Sequence, residues 1–176
     1  NPGTYGSMSW TAGTTYYILL DDEDITASTH TFYINSPTGV SPCDNVILIN
    51  GTGSSYSKTF TSGGTGVWNT SFCGYSVPVK EQVYRFTAPV TGVYSLQVSS
   101  GGSYMDYAWR AGSCSESGWT CIDDIYNPGT YGSMSWTAGT TYYILVDDED
   151  ITASTHTFYI NSPSGVSPCS SYITIN

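Results

Sequence analysis

The sequence predicts an all-β protein, a jelly-roll-like β-sandwich repeated in tandem. Three observations carry this. Short runs of β-branched and aromatic residues alternate with Gly, Pro, Asn and Ser punctuation, as in Val83-Tyr84-Arg85-Phe86 and Thr155-His156-Thr157-Phe158-Tyr159-Ile160. No stretch shows a 3.6-residue apolar period. Residues 1–50 also align without gaps to residues 127–176, with 44 of 50 positions identical.

The repeat sets the expected domain organisation. The first 43 positions of the two copies differ only at Leu20/Val146 and Thr38/Ser164, and the copies diverge after Cys43 and Cys169. A unit boundary at the cysteine makes 43–168 one complete unit, 1–42 the C-terminal part of a preceding unit and 169–176 the first strand of a following one. A unit of this length is a whole domain rather than a solenoid turn. The chain is accordingly expected to be part of a longer array. Strands are expected near 45–50, 56–61, 82–87, 92–98, 105–111, 118–122, 131–136, 141–147 and 155–161, with Thr137-Ala138-Gly139-Thr140 as a hairpin turn. The fragment 1–42 carries only about three of these strands and cannot bury both of their faces alone. Its missing strands are expected from the preceding unit's residues or from another copy of the chain.

Composition narrows the function. The net charge is −10, with only 10% charged residues, so phosphate backbones and anionic membrane surfaces are poor partners. No apolar run is long enough to span a bilayer as a helix. The 16 Tyr and 5 Trp, with abundant Ser, Thr and Gly, fit a secreted β protein. Of the five cysteines, Cys43, Cys73, Cys114 and Cys121 fall in the complete unit, and Cys169 is the next unit's counterpart of Cys43. The expected pairing is Cys43–Cys73 and Cys114–Cys121, the second closing a short loop between neighbouring strands. A zinc site is the rival reading, without a CxxC pair or nearby His to support it.

Cys43-Asp44-Asn45, Cys73, Glu81 to Pro89, Thr91-Gly92-Val93-Tyr94-Ser95-Leu96, Asp106, Gly112-Ser113-Cys114 with Cys121, Asp123-Asp124 and Thr137 to Asp147 follow one another in a distinctive order. In that order the unit resembles the bacterial pre-peptidase C-terminal domain, in the form found in secreted Bacteroidota proteins. The resemblance implies a β-sandwich exported by a dedicated secretion system. Such modules accompany proteases or stand in tandem in large surface adhesins and filaments, and the near-identical copies favour the second setting. The expected localisation is extracellular, and the expected partners are other copies of the chain and cell-surface glycans.

Several residues are candidates for chemistry. The acidic run Asp147-Asp148-Glu149-Asp150, which recurs as Asp21-Asp22-Glu23-Asp24, and the pair Asp123-Asp124 suggest a calcium site built from Asp123, Asp124, Asp147 and Asp148, since hard cations take converging oxygens. The plainer reading is a solvated acidic loop that keeps a sheet edge from pairing. His30 and His156 occupy equivalent Thr-His-Thr positions and are expected on an outward face. Ser154 and Asp150 are near in sequence but form no triad pattern, and no enzyme is expected. The Gly63-Gly64-Thr65-Gly66 loop lacks the Lys and helix of a phosphate cradle. Trp68, Tyr104, Trp109, Trp119 and Tyr126 are candidates for an interface or a sugar-binding face, with core filling as the alternative.

Overall fold

The computed structural model describes residues 6, 8, 10, 14–20, 29, 31–32, 41–68, 71–75 and 79–163. His30, the acidic run 21–24 and residues 169–176, including Cys169, lie outside the described residues. The chain divides into two compact units, Asn1–Ser36 and Pro37–Asn176.

In the larger unit nine strands form two sheets among the described residues. They are β1 (Ile47–Ile49), β2 (Lys58–Thr61), β3 (Gln82–Thr87), β4 (Gly92–Ser100), β5 (Met105–Ala111), β6 (Thr120–Ile125), β7 (Gly129–Trp136), β8 (Thr141–Asp148) and β9 (Thr155–Asn161). One sheet runs β1-β3-β8-β5-β6, the other β2-β9-β4-β7. The protein is an all-β sandwich, and the chain changes sheet at every connection except β5 to β6. The β1–β3 pair is parallel and all the others are antiparallel.

Two-residue periodicity decides what each sheet buries. Tyr84 and Phe86 of β3, Tyr107 of β5, Ile144 and Val146 of β8, Tyr94, Leu96 and Val98 of β4, and Phe158 and Ile160 of β9 close the space between the sheets. Trp136 sits among the rings of Phe86, Tyr94, Trp109 and Tyr142, with centroid separations of 5.7, 5.1, 6.0 and 4.5 Å.

The opposite face of the five-stranded sheet is covered as well. Val83, Ala108 and Leu145 point away from the sandwich interior and pack with Trp68, flanked by Phe72, Trp119 and both cysteines of one disulfide, Cys43 and Cys114. Trp68 and Phe72, from the segment between β2 and β3, form this second apolar layer together with Cys43, Val46, Cys114 and Trp119. Glu81 helps to hold it in place: its carboxylate accepts from the backbone N–H of Val67 at 3.0 Å and of Trp68 at 2.7 Å. At Gly66 a Cβ would stand 2.1 Å from the Val79 carbonyl oxygen, so no other residue fits there.

The disulfides are Cys43–Cys114 and Cys73–Cys121, which corrects the expected pairing of the same four cysteines. The reason is the second layer. Residues 43 and 73 both lie on the covering side, and each bridges down to the β5–β6 hairpin rather than to a neighbour in sequence.

His156 is also corrected, because it points inward. Thr155 and Thr157 face outward and pair with Thr61 and Thr59 across β2 through hydroxyl contacts of 2.9 and 3.0 Å. Strand alternation then turns His156 into the interior with Phe158 and Ile160. Its Nε2 lies 3.0 Å from the Ser103 carbonyl oxygen, and its Nδ1 lies 3.4 Å from the Tyr107 hydroxyl. Burial lowers its pKa, partly offset by the Ser103 carbonyl and the Asp148 carboxylate. The folded protein therefore refuses a proton that the unfolded chain accepts near pH 6.5, and the histidine's contribution to stability is lost as pH falls below that value. The Tm difference between wild type and His156→Gln is expected to shrink from pH 7.5 to pH 5. Taking the difference isolates the histidine from the carboxylates, whose raised pKa values act in the opposite direction. An unchanged difference across that range rejects the assignment.

In the smaller unit Trp10 stacks on Tyr16, with ring centroids 5.3 Å apart. Residues 14–20 contain no strand, although they match β8 in sequence.

Candidate cation site

The acidic residues read from the sequence as loops are largely parts of strands. Asp123 and Asp124 belong to β6, and Asp147 and Asp148 end β8. Register brings one residue from each of three adjacent strands into a row. Asp124 of β6 stands opposite Asp106 of β5, and Asp106 stands opposite Asp147 of β8. Directly opposed residues share a face. That face is the outer one, since Asp106 and Asp147 alternate with the inward Tyr107 and Val146. Glu149 lies two residues beyond Asp147.

One carboxylate oxygen from each of Asp106, Asp124 and Glu149 falls within 4.8 Å of the other two. Asp106 is fully buried. Its Oδ2 accepts from the Cys73 N–H at 3.3 Å, while its Oδ1 has no partner. Asp124 Oδ1, Asp147 Oδ2 and Glu149 Oε1 are likewise buried without a hydrogen bond. Asp147 Oδ1 accepts from the Asp148 N–H at 2.9 Å.

Electrostatics agree with the geometry. Burial pushes the Asp106 pKa up to about 7, with Glu149 and Asp124 adding to the rise and the Cys73 N–H opposing it. Burial raises Asp147 to about 9, with Glu81, Asp106 and Asp148 contributing. Asp124 and Glu149 are raised too, first by burial and then by neighbouring carboxylates. Each charge that acts on these four groups is another carboxylate.

Of the four residues expected to hold calcium, the structure brings Asp124 into the cluster and sets Asp147 in the adjoining register position. Asp123 is exposed, with its Oδ1 accepting from the Asp124 N–H. Asp148 points to the opposite side of the sheet, because consecutive strand residues alternate. There its Oδ2 accepts from the Ser62 and Ser154 hydroxyls, and its Oδ1 from the Asp150 N–H. Asp106 and Glu149 complete the cluster. Asp106 was visible in the sequence as an acid within an apolar strand, but the strand order that places it beside Asp124 was not.

The five aromatic candidates separate in the same way. Trp68 is buried in the outer layer, and Trp109 packs against the main core. Trp119 contacts Trp68 and Phe72, lies under the Arg110 guanidinium at 5.8 Å and donates from Nε1 to the Ser115 carbonyl at 2.8 Å. Tyr104 and Tyr126 remain exposed and pair with each other at 4.9 Å, just beyond the paired ends of β5 and β6. Comparison with known proteins returns no match: no family model, no curated protein and no solved structure aligns with the chain.

Proposed function

We propose that this chain is a structural, adhesive repeat of an extracellular bacterial surface filament, whose copies join by strand complementation. One observation carries the reading: the same residues in the same local sequence are buried in one copy and exposed in the other. Trp136, Tyr142, Ile144 and Leu145 are 0%, 4%, 0% and 0% exposed, whereas their counterparts Trp10, Tyr16, Ile18 and Leu19 are 40%, 41%, 46% and 89% exposed. Phe32, the counterpart of the fully buried Phe158, is 53% exposed.

Burying each such side chain yields roughly 1.5–3 kcal/mol. In the complete unit β8 lies third among the five strands of its sheet, hydrogen-bonded to β3 and β5. The equivalent segment 14–20 therefore requires strands like β3 and β5 on its two sides. The partner of suitable chemistry is the 43–126 part of another repeat, of the preceding unit or of another chain. In the complete unit that slot is filled by its own β7, β8 and β9, so a second chain enters it only by exchanging places with them. Exchange of this kind is heterologous, and a heterologous contact that does not close into a ring yields fibres. Two disulfides suit a protein that works under oxidising conditions outside the cytosol.

The test uses the whole chain. Light scattering across a hundredfold concentration range and negative-stain imaging are expected to show concentration-dependent linear polymers. A chain that stays monomeric over that range rejects the proposal.

A further inference from the structure

We infer that Asp106, Asp124 and Glu149 bind one calcium ion, which ties the β5–β6 hairpin to the end of β8. The inference stands apart from filament formation, because all its ligands come from one complete unit.

Convergence of the three carboxylates is the first observation. Their oxygens lie within 4.8 Å of one another, which fits the roughly 4.6–5.2 Å diameter of a calcium coordination sphere. The orphaned oxygens are the second, independent observation. Asp106 is 1% exposed, and its Oδ1 is one of four buried carboxylate oxygens here that no donor reaches. A buried carboxylate without a cation or donor is costly, and native proteins leave few such groups. Protonation is the rival: a protonated carboxyl donates its O–H to a neighbouring carboxylate, which satisfies one acceptor per proton and leaves the other orphaned oxygens without a donor. A divalent cation satisfies the free oxygens together and turns the mutual repulsion into shared attraction.

Ligand chemistry selects the ion. The set is entirely oxygen. The four cysteines of the unit are consumed in disulfides, and His156 is hydrogen-bonded in the interior. Such a set suits calcium or magnesium rather than zinc or copper. The three carboxylates come from three chain segments, which gives the adaptable shell that calcium accepts and magnesium does not. Asp147 Oδ2, orphaned in the next register position, is available to complete or support the shell. Asp124 and Glu149 are partly exposed, so water reaches the remaining positions.

The consequence is mechanical. Asp106 also holds the Cys73 N–H, so an ion at this point links β5, β6, β8 and the disulfide-pinned covering segment in one knot.

The test is calorimetry on the whole chain, freed of metal with EDTA and titrated with calcium chloride at fixed ionic strength. Saturable binding of one ion at this site is expected, with Tm rising by about 5–10 °C at saturation. Glu149→Gln, at the strand end, is expected to keep the fold and weaken calcium binding at least tenfold. Asp106→Asn is expected to raise the Tm of the metal-free protein, by removing a buried like charge, and to abolish the calcium response. Equal Tm in calcium and EDTA overturns the inference. So does an unaltered calcium response in both variants, which places the ion elsewhere in the chain. A magnesium response equal to that of calcium overturns the choice of ion.

Discussion

Reduction of the two disulfides is expected to unfold the complete unit at 37 °C. Cys43 and Cys114 are 71 residues apart, and Cys73 and Cys121 are 48 apart. Closing loops of those lengths in the unfolded chain corresponds to about 4 kcal/mol for each bridge in the chain-entropy treatment. The loops overlap, because Cys73 lies inside the first loop and Cys121 outside it, so the two effects add to less than their sum. Even so, the loss is a large part of the 5–15 kcal/mol typical of a folded domain. The bridges also hold the covering side in place, since Cys43 and Cys114 pack in the outer apolar layer and the Cys73 N–H donates to Asp106 on the same face. The measurement is urea unfolding of wild type, of Cys43→Ser/Cys114→Ser and of Cys73→Ser/Cys121→Ser. Each double variant is expected to lose about 2–4 kcal/mol, and the fourfold variant is expected not to fold. Peptide mapping checks the connectivity itself. Recovery of a Cys43–Cys73 peptide would contradict the fold on which this estimate depends.

Much of the sandwich was legible because it rests on local patterns. Val83 to Phe86 and Thr155 to Ile160 alternate cleanly, and each is a strand in the structure. The inward position of His156 was legible too, since it shares parity with Phe158 and Ile160. The expectation of an outward histidine weighed its threonine neighbours and not that parity. Trp68 was illegible for a different reason. It is buried by a layer outside the sandwich, and no period-two pattern in its own segment records that layer. The disulfide pairing failed on the same point, because sequence spacing favours near neighbours and cannot represent a segment folded over the far face of a sheet. The acidic cluster needed non-local information as well. Asp106, Asp124 and Glu149 meet only because β5 lies between β6 and β8, an order that loop lengths do not specify. The acidic run on its own leaves a calcium site and a solvated loop both open, and only the strand order shows Asp147 and Asp148 to be fully buried.

Trp136→Ala is expected to cost about 3–5 kcal/mol, the range for emptying a large aromatic site in a packed core. Four aromatic rings surround the indole, and its Nε1 makes no hydrogen bond, so the loss is one of packing and not of polar contact. Trp10→Ala changes the same residue in the same local sequence, yet its effect on the unassembled chain is expected to stay near 0.5 kcal/mol, as for a surface position. The two positions differ in surroundings, since Trp10 stacks on Tyr16 and remains partly open to solvent. Strand complementation removes that difference by giving Trp10 the environment that Trp136 already has. Trp10→Ala is then expected to weaken assembly by the core value, roughly a hundredfold to a thousandfold in critical concentration. Urea unfolding reads the first effect, and polymer sedimentation against concentration reads the second. A Trp136→Ala protein that loses less than about 1 kcal/mol contradicts the core assignment. A Trp10→Ala chain that polymerises at the wild-type concentration removes complementation as the basis of assembly, because the indole would then have gained no partner on joining its neighbour.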